Sequence, residues 1–266
     1  MKHGLIKKFL ACAATLTLVA GLTACGSDTT PIPQGQVVKG PVFGATVKDA
    51  NGHVIGTTDH SGKFPLYGVG PYTVTGGTYF PLKADGTYSN VALNAPAMSA
   101  PAGVTQVTPL STLVANAATP AEAAAIMTTL QNMGITNLNS DLSVKTTANA
   151  SAWILSETIG AVLTQAVSSG ATSTEVGNIM SAINTALATA NAGTLTTAAQ
   201  INAMVQTQLT ATLGTTDPTL ATALSLASTT ISTGAGTVVP GTVPPIPTTE
   251  TPVTGATGGT SGGTTI

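Results

Sequence analysis

Arginine is absent from this chain, and all eight basic residues are lysines. Charged residues of either sign make up only 7% of it. Nucleic-acid binding rests on several cations that neutralise backbone phosphates. A chain with no arginine and a net negative charge is therefore not expected to take nucleic acid as a partner. Cysteine is nearly absent too, with Cys12 and Cys25 both inside the first 25 residues. That leaves the rest of the chain without a disulfide framework or a thiolate metal site. Beyond His3 the only histidines are His53 and His60, and beyond Tyr88 the only aromatic residue is Trp153. The inventory for acid–base or metal chemistry is small. Thr, Ala, Ser, Gly and Asn take the place of charge, a composition that suits a soluble but weakly charged surface.

The N-terminus has a different character. Lys2, Lys7 and Lys8 make a basic start, and Phe9 to Leu22 is a largely apolar run. A membrane-crossing helix needs roughly 20 apolar residues. This run is shorter and leads at once into Gly26, Ser27 and Asp28, the pattern of a cleavable secretory signal. Its end, Leu22-Thr23-Ala24-Cys25, resembles the lipobox of bacterial lipoproteins. The resemblance implies a signal peptide over 1–24. It also implies that Cys25 becomes the mature N-terminus, bearing a diacylglycerol thioether and an acylated (palmitate-type) amine, so that the membrane is a partner through this lipid. Two or more acyl chains anchor a protein stably where one is marginal. Gly26 after the cysteine, where an aspartate would mark retention, implies sorting to the outer membrane, with the body periplasmic or surface-exposed. Once the signal is removed, five lysines face ten acidic residues.

Residues 25–36 read as a polar, proline-containing linker. From 37 to 107 the apolar residues come in short stretches separated by Asn51-Gly52, Ser61-Gly62, Gly76-Gly77 and Asp85-Gly86, dipeptides that supply positive φ in tight turns. The expected strands are 36–39, 44–48, 53–57, 63–66, 72–75, 78–82, 88–93 and 105–107, building a small antiparallel β-sandwich. Gly44-Ala45-Thr46-Val47, Gly56-Thr57-Thr58-Asp59, Gly62-Lys63-Phe64 and Tyr72-Thr73-Val74 resemble the carboxypeptidase regulatory-like, transthyretin-type β-sandwich. The resemblance implies a non-catalytic spacer or binding unit. Related surface domains form a Lys–Asn isopeptide bond assisted by a glutamate. No glutamate lies between Val37 and Val107, so that chemistry is not expected in the sandwich.

A helical half is expected over 108–234. Thr108-Pro109-Leu110-Ser111-Thr112-Leu113 opens it with a capping threonine and proline at the first helical position. A sandwich followed by such a segment resembles an architecture of bacterial surface lipoproteins. Thr119-Pro120-Ala121-Glu122 and Thr172-Ser173-Thr174-Glu175 are capping boxes. Thr196 or Thr197 and Asp217-Pro218 open two more helices, and Gly134, Gly170, Gly214 and Gly234 close helices. Apolar stripes at 3.6-residue spacing run through each, so the helices are expected to pack as a bundle. The fold class is thus α+β, segregated, with a disordered Pro/Thr/Gly-rich tail over 235–266.

Several patterns bear on chemistry. Gly259-Thr260-Ser261-Gly262-Gly263 matches G-x-S-x-G, but in a tail of such composition it is a chance match. His53 and His60, with Asp49 and Asp59, are the one set from which a hydrolase could be built. Asn137, Asn139, Asp141 and Ser143 alternate like the start of a calcium loop. Ala148 stands where the bidentate glutamate belongs, so a capped loop is expected and no metal. Gly68-x-Gly70 is too short for a dinucleotide loop. Tyr67, Tyr79 and Tyr88 are the tyrosines expected to stand exposed, as a face for a glycan or a surface protein. No catalytic residue and no cofactor is expected.

Overall fold

A computed structural model describes residues 32–190 and 194–242, which belong to one compact unit. Glycine-rich turns set the β region. β1 (Gln34–Val37) lies between β4 (Lys63–Pro65), antiparallel, and β9 (Gln106–Val107), parallel. A four-stranded antiparallel sheet has the order β3 (Val54–Thr57), β2 (Thr46–Lys48), β5 (Tyr72–Thr75), β8 (Met98–Ala100). A third pair joins β6 (Thr78–Tyr79) to β7 (Leu93–Asn94). Val37, Phe64 and Val107 from the first sheet share one buried cluster with Val47, Tyr72, Val74, Met98 and Ala100 from the second.

The helices follow: α1 (Pro109–Ala115), α2 (Pro120–Asn132), α3 (Ala150–Ser168), α4 (Ser173–Thr189), α5 (Ala198–Leu213) and α6 (Pro218–Thr237). Each expected threonine or aspartate cap holds. Thr108, Thr119, Thr172, Thr197 and Asp217 accept from the backbone N–H three residues on, satisfying donors that a helix start leaves unpaired. At α2 the box is altered, because Glu122 Oε2 accepts from the N–H of Ala118 at 2.6 Å instead of from the cap residue. α3 is buried almost all round. It packs on α1, α5 and α6 as the central helix.

Three expectations are corrected. The β region is not wholly antiparallel, since β1 and β9 run in parallel. Strand β8 lies outside all of the expected strands. Finally, α6 does not stop at Gly234. It continues to Thr237 because this glycine serves close packing, a Cβ there colliding with the carbonyl oxygen of Lys83. Val238 beyond it is buried, so the tail expected from 235 begins as ordered structure. Residues 243–266 lie outside the described residues. Among the described residues, no helix is long and apolar enough to cross a membrane.

The β region and the helices share side chains as well as chain. Val38, Phe80, Leu82, Tyr88 and Ala92 belong to the same hydrophobic cluster as Leu110, Trp153, Ile159 and Leu224.

Candidate functional site

Charge is scarce, so the charged side chains that enter the interior stand out. Just beyond β1, Gly40 turns the chain with φ +63°, and the preceding Lys39 points into the core, 1% exposed. Its Nζ donates to Glu157 Oε2 at 3.4 Å and to the Glu157 carbonyl at 3.2 Å. It also sits 4.9 Å from the centre of the Tyr79 ring, a cation–π distance. Glu157 is the only charged residue of α3. Three residues on, Gly160 leaves the room that the lysine stem fills, since a Cβ there would collide with Lys39 Cδ and Cε. The Tyr79 hydroxyl continues the network to Thr164 Oγ1 at 3.0 Å.

Burial alone would lower the pKa of Lys39, but the Glu157 carboxylate outweighs it and holds the ammonium above its ordinary value. Burial and the same carboxylate push the Tyr88 phenol up. This enclosed ion pair ties the β region to α3. It also brings a glutamate from the helical half, outside 37–107, to a lysine of the β region. Lys39's hydrogen bonds all go to Glu157, and no asparagine is among those partners.

A second buried lysine, Lys145, donates to the carbonyls of Ala235 at 2.8 Å and Val238 at 2.7 Å. A cation at a helix C-terminus complements the unpaired carbonyls there. Burial draws its pKa below the ordinary lysine value.

The segment Thr108–Leu113 explains how the halves are joined. Thr112 Oγ1 accepts from the N–H of Ser99 at 3.0 Å, and Ser111 Oγ donates to the Ser99 carbonyl at 2.7 Å. Two hydroxyls of α1 thereby occupy the free edge of β8. Beside this seam lies a groove of about 500 Å³. Thr73, Thr75, Ser99 and Asn116 supply its polar lining, with Met98 and Met180 among the apolar residues. Its lining residues include no ionisable side chain, and their hydroxyl and amide groups can hydrogen-bond a ligand. A second groove of about 420 Å³ lies between Pro81–Ala84, α3 and α6 and is bordered by the exposed Leu226.

The sequence-derived candidates do not converge on a centre. His53 Nδ1 is 3.5 Å from Asp49 Oδ2 within one hairpin turn. His60 stacks on Phe43 with ring centroids 5.4 Å apart. Asp49 and Asp59 each take backbone N–H groups of their own turn: Asn51 and His53 for one, Ser61 and Lys63 for the other. Desolvation opposes ionisation at both, yet those donors outweigh it and hold both carboxyls below the ordinary value. Asn139 Oδ1 accepts from Thr105 and Asn137 Oδ1 from the N–H of Asn139, so these oxygens pin loops together. Among the described residues no group of three or more His, Cys, Asp or Glu could hold a metal ion.

The tyrosine face is corrected. Tyr67 is 54% exposed, but Tyr79 is 1% and Tyr88 8% exposed, both within the interior that the helices cover. Period-2 spacing cannot reveal burial of a strand's outer face by a distant helix. Cys25 and Ser261 lie outside the described residues. Compared with protein-family models, curated proteins and solved structures, the chain matches none.

Proposed function

We propose that this is a lipid-anchored cell-envelope protein with a structural or binding role and no catalytic one. The observation that carries the reading is Leu22-Thr23-Ala24-Cys25 at the end of a basic-then-apolar leader, in a chain with no later cysteine. The anchor is the acylated Cys25, and the outer membrane is its destination. Only eight residues lie between Cys25 and the start of β1 at Gln34, a reach of roughly 30 Å at full extension, so the body would stay near the bilayer. A neutral partner, a surface protein or a glycan, fits the groove beside β8 better than an ionic one, because hydroxyl and amide groups line it.

The β region is read as a carboxypeptidase regulatory-like sandwich over 37–107 and the helices as a bundle over 108–234. The cluster shared by two sheets and the central position of α3 support these readings. The non-catalytic reading is supported by the commitment of Asp49, Asp59 and Lys39 to turns and to the buried pair.

Replacing Cys25 by Ser tests the anchor. Wild-type protein should fractionate with membranes and take up labelled palmitate, whereas Cys25→Ser should lose the label and remain an unprocessed precursor. Equal labelling and processing in both would overturn the reading.

A further inference from the structure

Eight large apolar side chains stand exposed among the described residues, and four of them gather at one end of the strands. β1 starts and β4 finishes there, with Gln34 opposite Pro65. The Leu66 N–H then donates to the Pro33 carbonyl at 2.8 Å. The next step of that register sets Ile32 opposite Tyr67, side chains 50% and 54% exposed. Val69, 74% exposed, follows on the same loop. Val54 belongs to this end because its partner Lys48 also pairs with Thr73, at the start of β5.

The loop is fixed and not floppy. The Tyr72 hydroxyl donates to the Gly68 carbonyl at 2.7 Å, and the Val69 carbonyl accepts from the N–H of Gly103 at 2.6 Å. No charged residue occurs from Leu66 to Thr78 or from Pro101 to Val107. The charged residues next to it belong to the 48–53 hairpin, where Asp49 lies 3.5 Å from His53, and to the loop that Asn139 ties to Gly103 and Thr105, which carries Asp141.

We propose that the surface carrying Ile32, Tyr67 and Val69 lies against the phospholipid bilayer to which Cys25 is attached, with these side chains in the interfacial layer. The inference rests on the lipid-anchor reading and adds an orientation to it. Ile32 is only seven residues from Cys25, a reach of roughly 25 Å at most, so the strand end at which the chain enters the body is the end nearest the lipid. Tyrosine combines an apolar ring with a polar tip and favours the headgroup level. A rigid, uncharged loop presenting Tyr and Val there meets no desolvated charge on approach.

The mature chain has no cysteine besides Cys25, so one introduced thiol can be labelled uniquely. Full-length lipidated Tyr67→Cys, Val69→Cys and, as a comparison, Leu226→Cys would each carry an environment-sensitive fluorophore. Each would be reconstituted in phosphatidylethanolamine–phosphatidylglycerol vesicles. Labels at 67 and 69 should shift to shorter emission wavelength and be quenched by spin-labelled lipid, while the label at 226 should do neither. Vesicle-bound protein with all three labels equally solvated would overturn the orientation and leave the anchor standing. Protein that fails to float with vesicles, and whose mass shows an unmodified Cys25, would overturn the anchor and the orientation with it.

Discussion

Lys39 and Glu157 are 118 positions apart in sequence, and both are buried. Removing one partner of an enclosed ion pair leaves an uncompensated charge, a loss of about 3–5 kcal/mol. Lys39→Met should therefore lower the free energy of chemical denaturation by that order. The double variant Lys39→Met/Glu157→Leu should regain most of it, since an apolar pair of similar volume avoids both desolvation costs. A double variant no more stable than Lys39→Met alone would contradict the account. Gly160→Ala tests the same junction from the helix side, where the added methyl displaces the lysine stem at a cost of about 1–3 kcal/mol. At the other end of the helical region, Lys145→Met strips the α6 terminus of its cation and should cost about 2 kcal/mol. Loss of amide protection confined to residues around 235–241 would be its signature in hydrogen exchange.

Among the elements, the strand β8 and the helix α1 depend on each other. Thr112→Val keeps the side-chain shape but deletes the hydroxyl that accepts the Ser99 N–H. A cost of about 1–2 kcal/mol is expected, with faster exchange of the Ser99 amide. Unchanged exchange there would mean that the edge is guarded by something else. Five of the helices were legible because their starts carry explicit chemistry: threonine or aspartate, then proline, or a glutamate or glutamine three residues on. Five of the six have a side-chain cap in place. The turns of the β region were legible for a comparable reason, since Asn51-Gly52 and Ser61-Gly62 place glycines where φ is near +80°. β8 was illegible because Ala97-Met98-Ser99-Ala100 between two prolines has weak strand propensity, and its partners, β5 and α1, are what make it a strand. Gly234 misled for the opposite reason. A glycine in a helix signals an end from sequence alone, but here it admits the backbone of Lys83.

For the whole molecule, the shared core of β region and helices predicts a single cooperative unfolding transition. Trp153 fluorescence, reporting the helical interior, should coincide with far-ultraviolet circular dichroism; two separated transitions would contradict it. The pH dependence has a definite sign. Asp85 is held down to about 2, chiefly by the Thr87 hydroxyl and then its N–H, and Asp49 and Asp59 are lowered as well. Carboxyls depressed in the folded state contribute stability above their ordinary pKa, so it should decline as pH falls from about 4 toward 2. Lys39 is raised, so its share is complete below the ordinary lysine pKa and is lost as pH climbs through the raised value. A denaturation midpoint flat across the acid range would count against the aspartate turns. The candidate site was less legible than the fold. No local pattern foretells that Tyr79 and Tyr88 are covered by helices from the other half of the chain, or that a lone lysine meets a lone glutamate. The N-terminal address is a local signal and needs no tertiary context to read. It also supports the central claim of a lipid-anchored envelope protein, which is tested most directly by the mass of the N-terminal peptide released from membrane-extracted protein. The account predicts a peptide beginning at Cys25 and carrying a diacylglyceryl group and an amide-linked acyl chain. A peptide with a free Cys25 thiol, or one beginning elsewhere, would contradict it.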